Sequence, residues 1–159
     1  MSGSIGKGAR NREALVAAAA KLFWMNGYHG TSIADIAADA TIPVGNVYYY
    51  FRTKSDVAFA VAEGFVDDTG DMLAEISKAE ADPRKRLVLL ANRLAASQRS
   101  RMAHGCPVAA AMRDFRLDAP KAAERAAEVF TMISAFVATE AGRTGLRPAL
   151  ALGTGRAAV

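Results

Sequence analysis

Residues 31–54, TSIADIAADATIPVGNVYYYFRTK, decide the fold. Over 32–40 the apolar residues Ile33, Ile36, Ala37 and Ala40 recur at helical spacing, with Asp35 and Asp39 off that face. Thr31 or Ser32 is placed to cap this helix. Only Thr41, Ile42 and Pro43 separate it from the next helical pattern, a spacing that suits a helix-turn-helix and is too short for a strand crossover. Pro43 fits the first turn of the new helix, where a missing amide hydrogen costs nothing.

The second helix of the pair, 44–51, is too short to be stable alone and must be held by packing. At roughly 100° per residue, Val47, Tyr50 and Phe51 fall on one side, and Gly45, Asn46, Tyr48 and Tyr49 fall on the other. The first set is the expected core. The second has no carboxylate, a small residue that permits close approach, an amide able to read a base edge, and two phenols suited to phosphate oxygens. Such a surface points to DNA.

The run GYHGTSIADIA followed by NVYYYFRTKSDV resembles the N-terminal domain of the tetracycline-repressor (TetR) family of bacterial transcription regulators. The resemblance covers roughly residues 10–61 and rests on several spaced features at once. It implies phosphate contacts from Tyr48, Tyr49 and Lys54, and base contacts from Val44, Gly45 and Asn46 at the start of the recognition helix. Thr31, Ser32 and Thr41 complete the candidate DNA-binding set. Two positions depart from the family pattern. Thr41 occupies a turn position usually held by Gly, where a left-handed conformation would cost about 1 kcal/mol. Val44 stands where many relatives carry a polar or basic residue, so base readout by this helix is expected to be weak or unusual.

Composition agrees with an all-α protein: 52% of the 159 residues are hydrophobic, with 5 prolines and no valine-rich alternating runs. A chain this long buries about 70% of its unfolded surface, enough for one or two compact units. A single Cys excludes an internal disulfide framework and fits a reducing cytoplasm, the expected location. The polar start MSGSIGKGARNR lacks the apolar core of a signal peptide. No segment approaches the roughly 18 uninterrupted apolar residues of a membrane span, so no membrane partner is expected.

The net charge of +4 is unevenly spread. Lys7, Arg10, Arg12, Lys21, Arg52 and Lys54 outnumber Glu13, Asp35 and Asp39 in the first 54 residues, and Arg143, Arg147 and Arg156 face no acid in the last nineteen. A basic excess at the helix-turn-helix end raises affinity for any polyanion.

Working outward, the expected organisation is a basic arm over 1–9, a three-helix helix-turn-helix DNA-binding domain over 10–54, a helical ligand-binding and dimerisation domain over 55–140, and an irregular tail over 141–159. Lys7, Arg10 and Arg12 either track phosphates or enter a minor groove, or form a solvated terminus. Helix 1 spans about 10–26 with Leu15, Ala19, Leu22 and Phe23 inside and Gly27 as its stop. Trp24 and Tyr28 are expected in the core or at a domain junction. Thr53 and Asp56 suit a capping box for a long helix reaching about Ala81. Pro83 opens a helix ending near His104 and Gly105, on which Arg84, Lys85 and Arg86 form a solvated face. Pro107 and Pro120 start two more, the last running to about Glu140 with Val129, Met132, Ile133, Phe136 and Val137 inside. The glycine-rich tail differs from relatives, which continue with two helices that build most of a dimer interface. The chain is therefore expected to be short at its C-terminus.

Little in the chain suggests catalysis. Cys106, after His104 and Gly105, is expected at the first turn of a helix, where a thiol can be activated. The other histidine, His29, lies in the DNA module, too remote to serve as a base. Cys106 is thus a small buried residue or a thiol sensor. One Cys and two His supply no metal set, and neither GxGxxG nor a Walker pattern occurs, so no metal and no cofactor are expected. The family resemblance implies a small-molecule cavity, for which Met72, Met112, Phe115, Met132 and Phe136 are the candidate lining, with plain core as the other reading. The function expected is a ligand-responsive repressor, not an enzyme, that binds a palindromic double-stranded DNA operator as a homodimer. The alternatives are an impaired or protein-interacting regulator that retains the fold without the usual dimer helices, or a redox sensor acting through Cys106.

Overall fold

The computed structural model describes residues 6–96 and 105–145. Seven helices and no strand occur among them: α1 (Lys7–Asn26), α2 (Ile33–Asp39), α3 (Val44–Tyr50), α4 (Lys54–Ala79), α5 (Pro83–Ala96), α6 (Pro107–Phe115) and α7 (Pro120–Arg143). The all-α expectation is met. His104 and most of the tail, from 146 onward, lie outside the described residues.

Local chemistry explains the helix ends. Gly27 closes α1 at φ 77°, and its N–H donates to Phe23 O. At Gly30 a Cβ would sit 2.5 Å from Asn26 O, so the tight bend after α1 admits no side chain. Ser32 caps α2: its hydroxyl accepts from Asp35 N–H at 3.1 Å, and the Asp35 carboxylate accepts from Ser32 N–H at 2.8 Å. Thr53 and Asp56 repeat this capping box at the start of α4. Helix α2 ends in a Schellman arrangement, in which Thr41 N–H donates to Ala38 O at 3.1 Å and Ile42 N–H donates to Ala37 O at 2.9 Å. The left-handed residue of that motif is Thr41, at φ 57°. Pro43 is the N-cap of α3 and stands just outside its first turn.

Two apolar clusters form the interior. The larger joins Leu15, Phe23, Tyr28, Ile36, Val47, Phe51, Val57 and Val61 to Ala111, Phe115, Ala122 and Ala126, so it runs across residue 54 into α4, α6 and α7. The three rings of Phe23, Tyr28 and Phe115 lie 5.2 to 5.6 Å apart in tilted or edge-on arrangements. The smaller cluster, Leu73, Ile76 and Leu90, lies at the far end of α4, with Met132, Ile133, Phe136 and Val137 packed partly buried against it. Helices α4 and α7 pair most extensively, and at Gly70 the Met132 methyl comes within 3.5 Å of where a Cβ would lie.

Three expectations change. Helix α1 starts at Lys7, so Lys7, Gly8 and Ala9 are helical rather than part of an arm, and residues 1–5 lie outside the described ones. Helix α7 continues to Arg143, which makes 141–143 helical rather than irregular. Arg86 does not share a solvated face with Arg84 and Lys85. Its guanidinium donates to Glu140 at 3.2 Å, to Glu80 O at 2.7 Å and to Ser77 O at 3.1 Å. Glu140, buried, also accepts from Arg143 at 2.8 Å. A buried carboxylate needs such partners, and these tie the ends of α4, α5 and α7 together.

Candidate nucleic-acid interface

Helix α3 is held from behind. Val47 is 0% exposed and Phe51 is buried, while Tyr50 packs partly buried against the same cluster. Opposite them, Tyr49 is 84% and Tyr48 56% exposed, and Asn46 and Gly45 are open to solvent. The division of faces expected from periodicity therefore matches the structure. The Tyr49 ring meets the Tyr50 ring edge-on at 5.1 Å, which limits its motion although it is exposed. Val44, the first residue of α3, is 42% exposed.

The N-terminal part of α1 meets the inward side of α3 through Tyr50 and Phe51. At Gly8 a Cβ would lie 3.8 Å from Tyr50 Oη, so the Tyr50 side chain reaches the first turn of α1. The Arg12 guanidinium lies 5.3 Å from the centre of the Phe51 ring, a cation–π distance. Asp35 and Asp56 are engaged in their capping boxes, and Asp39 forms an ion pair with Lys21. The hydrogen bonds from Ser32 hold the Asp35 carboxyl below the usual carboxylate value.

Two of the candidate DNA contacts are committed elsewhere. Thr31 is 1% exposed, and its hydroxyl donates to Gly27 O at 2.9 Å and to Leu22 O at 3.3 Å, fastening the end of α1. Its side chain does not reach the surface. The Lys54 ammonium donates to Tyr28 O at 3.0 Å and Thr31 O at 3.1 Å and sits 4.2 Å from the centre of the Tyr28 ring. It stitches α4 to the loop between α1 and α2, and two of its three hydrogens are used there. Ser32 and Thr41 are exposed, Ser32 with its oxygen engaged in the cap.

The other end of the molecule holds a partly open, mostly apolar cleft of about 430 Å³ between α4, α5, α6 and α7, with Asp68 and Arg93 also in its lining. Of the five candidate lining residues only Met72 borders it. Phe115 is fully buried among Phe23 and Tyr28, Met112 packs on that same cluster, and Met132 and Phe136 pack in the smaller one. The residues that border it instead include Thr69, Leu94, Val108, Val129, Phe130 and Ile133, together with Cys106. Val129 and Ile133 belong to the apolar stripe visible in the sequence, but which flank of that stripe faces a void depends on how α4 and α7 cross. Cys106 is half-buried at the N-cap of α6. The preceding carbonyl, Gly105 O, accepts from the Trp24 indole N–H at 3.2 Å, and His29 Nδ1 lies 3.3 Å from Asp118, so two polar contacts join the cavity side to the end of α1. Burial, and then the Asp118 charge, raise the Tyr28 phenol above its ordinary value. No group of three or more His, Cys, Asp or Glu able to hold a metal occurs among the described residues, and none of their helices is long and apolar enough to cross a membrane.

Residues 15–61 match the family described as bacterial regulatory proteins, tetR family. That segment, under a third of the chain, is similar to the helix-turn-helix part of the tetR family. Curated relatives include the HTH-type transcriptional repressor KstR2 of Rhodococcus jostii, 35% identical over 85 residues that cover 54% of this chain and 41% of that protein. The regulator TtgR of Pseudomonas putida is 32% identical over 96 residues, covering 57% of this chain and 45% of that one. The matched segments thus span less than half the length of these curated relatives. Among solved structures, a TetR transcriptional regulator from Legionella pneumophila superposes with a TM-score of 0.74 at 23% identity, covering 96% of this chain and 80% of its own. The regulatory protein TetR from Rhodobacter sphaeroides gives 0.70 at 21% identity, covering 85% and 74%. The fold shared with these structures therefore extends beyond the matched segment through α7.

Proposed function

We propose that the protein is a transcription repressor that binds a palindromic operator as a homodimer and is released by a small molecule occupying the cavity bordered by Met72 and Cys106. The observation that carries this reading is α3: a seven-residue helix anchored by buried Val47 and Phe51, with Asn46, Tyr48 and Tyr49 facing out. Exposed phenols and an amide on a helix face without a carboxylate fit phosphate oxygens and base edges. Two copies would present their α3 helices to successive major grooves, about 34–36 Å apart, and an effector that favours another separation would release the DNA. Relatives named as transcriptional repressors or regulators support the same reading.

Binding of the full chain to duplex DNA containing its own upstream region, followed by fluorescence anisotropy over a salt series, tests it. The log-log slope is expected at about −0.9 per phosphate contact, and Tyr49→Ala should lower both affinity and slope. Salt-insensitive binding, or no binding, would refute it. Light scattering at micromolar concentration should report a dimer, and a monomer would favour a regulator that acts through protein contacts. The position of Cys106 on the cavity wall favours one variant, in which a thiol-reactive electrophile acts as the effector. Alkylation that weakens DNA binding by wild type but not by Cys106→Ser would distinguish it.

A further inference from the structure

We infer that Val44 reads the 5-methyl group of a pyrimidine, a thymine in ordinary DNA, in each operator half-site. The inference rests on the DNA-binding role proposed above and concerns which base that interface selects. At roughly 100° per residue, Gly45 lies at the centre of the exposed face of α3, opposite Val47. Val44 and Tyr48 form one flank of that face, and Asn46 and Tyr49 form the other. Nothing lies within 4 Å of where a Cβ on Gly45 would be, so the backbone at the middle of the face is free to approach a groove floor closely. An approach of that kind brings the flanking Val44 side chain against base edges.

A valine side chain neither donates nor accepts a hydrogen bond. Pressed against the N7 and O6 of guanine, the N6 amine of adenine or the N4 amine of cytosine, it would strip water from polar atoms and return nothing. The single apolar group displayed in the major groove is the thymine methyl. Val44 therefore selects in two ways, by burying a methyl against its own and by excluding bases with polar edges. Its branched side chain has little rotamer freedom to lose on contact. The neighbouring amide of Asn46, exposed on the other flank, is left to hydrogen-bond an adjacent base.

The test uses the full chain and a pool of duplexes with a randomised core, enriched by repeated binding. The best-bound duplex is then resynthesised with each thymine in turn replaced by deoxyuridine, which deletes only the methyl. One thymine per half-site should lose about fourfold in affinity on that change, the effect of withdrawing one buried methyl. Cytosine at the same place should bind less well, and 5-methylcytosine should recover part of the loss. Val44→Ala, folded as judged by circular dichroism, should no longer distinguish thymine from uracil there. Uracil tolerated at every position, or discrimination that survives Val44→Ala, would overturn the inference while leaving the DNA-binding reading intact. Failure to enrich any sequence would instead overturn operator recognition, and the Val44 assignment with it.

Discussion

The two ends of the molecule are stabilised differently. Around α3, the two seven-residue helices α2 and α3 are held by a cluster in which Leu15, Ile36, Val47 and Val57 are fully buried, and capping boxes at the starts of α2 and α4 and the Lys54 clamp close the polar ends of this region. At the far end, longer helices leave Met132, Ile133, Phe136 and Val137 only partly buried, border a cavity, and rely on the Arg86–Glu140–Arg143 cluster to hold their tips. A seven-residue helix has no intrinsic stability and must be gripped. The 26- and 24-residue helices α4 and α7 hold many internal hydrogen bonds, and they border the cavity together with the shorter α5 and α6. The rigid end suits recognition and the looser end suits a response to a small molecule.

The difference should be largest in core truncations. Phe115→Ala, in the cluster that joins α6 to α1, should cost about 3–5 kcal/mol in urea denaturation, and Phe136→Ala at the looser end less than about 2 kcal/mol. Equal losses would mean the two clusters are equally tight. Next comes the clamp. Lys54→Met should cost about 1.5–3 kcal/mol, because two buried-side carbonyls lose a charged donor, whereas Tyr49→Ala should change stability by less than about 0.5 kcal/mol. If Lys54→Met is as stable as wild type, the ammonium does not fasten the loop.

Periodicity was enough to read α3 and its two faces, since Val47 and Tyr49 differ by two residues on a helix and their environments follow from angle alone. Caps were equally legible, because Ser32 with Asp35 and Thr53 with Asp56 are local pairs. Thr31 and Lys54 were not. Their partners include the carbonyls of Leu22 and Tyr28, which only the fold brings near, and a lysine after a cap has the same local signature whether it meets a phosphate or a backbone carbonyl. Arg86 is hidden for the same reason, its partner Glu140 lying 54 residues away. The cavity was the least legible feature: an apolar stripe identifies the inward side of α7 without showing where neighbouring helices part.

Smaller effects belong to the caps and the turn. Ser32→Ala should cost about 1 kcal/mol. Because Asp35 titrates lower in the folded protein than in the unfolded chain, its contribution is present above the unfolded value and lost as pH falls through the folded one. Acid titration of stability should therefore show a shallower acid limb in Ser32→Ala than in wild type, and identical limbs would mean the bond contributes nothing. Thr41→Gly should raise stability by up to about 1 kcal/mol by relieving the left-handed threonine, and a decrease would show that Thr41 makes a compensating contact.

The most direct measurement is amide hydrogen exchange of the full chain with and without the enriched duplex. Slower exchange on adding DNA should be concentrated in peptides covering α3 and the first turns of α1, with α5 unchanged. Protection confined to α5 or α7, or none over 44–50, would contradict the assignment of this surface to DNA.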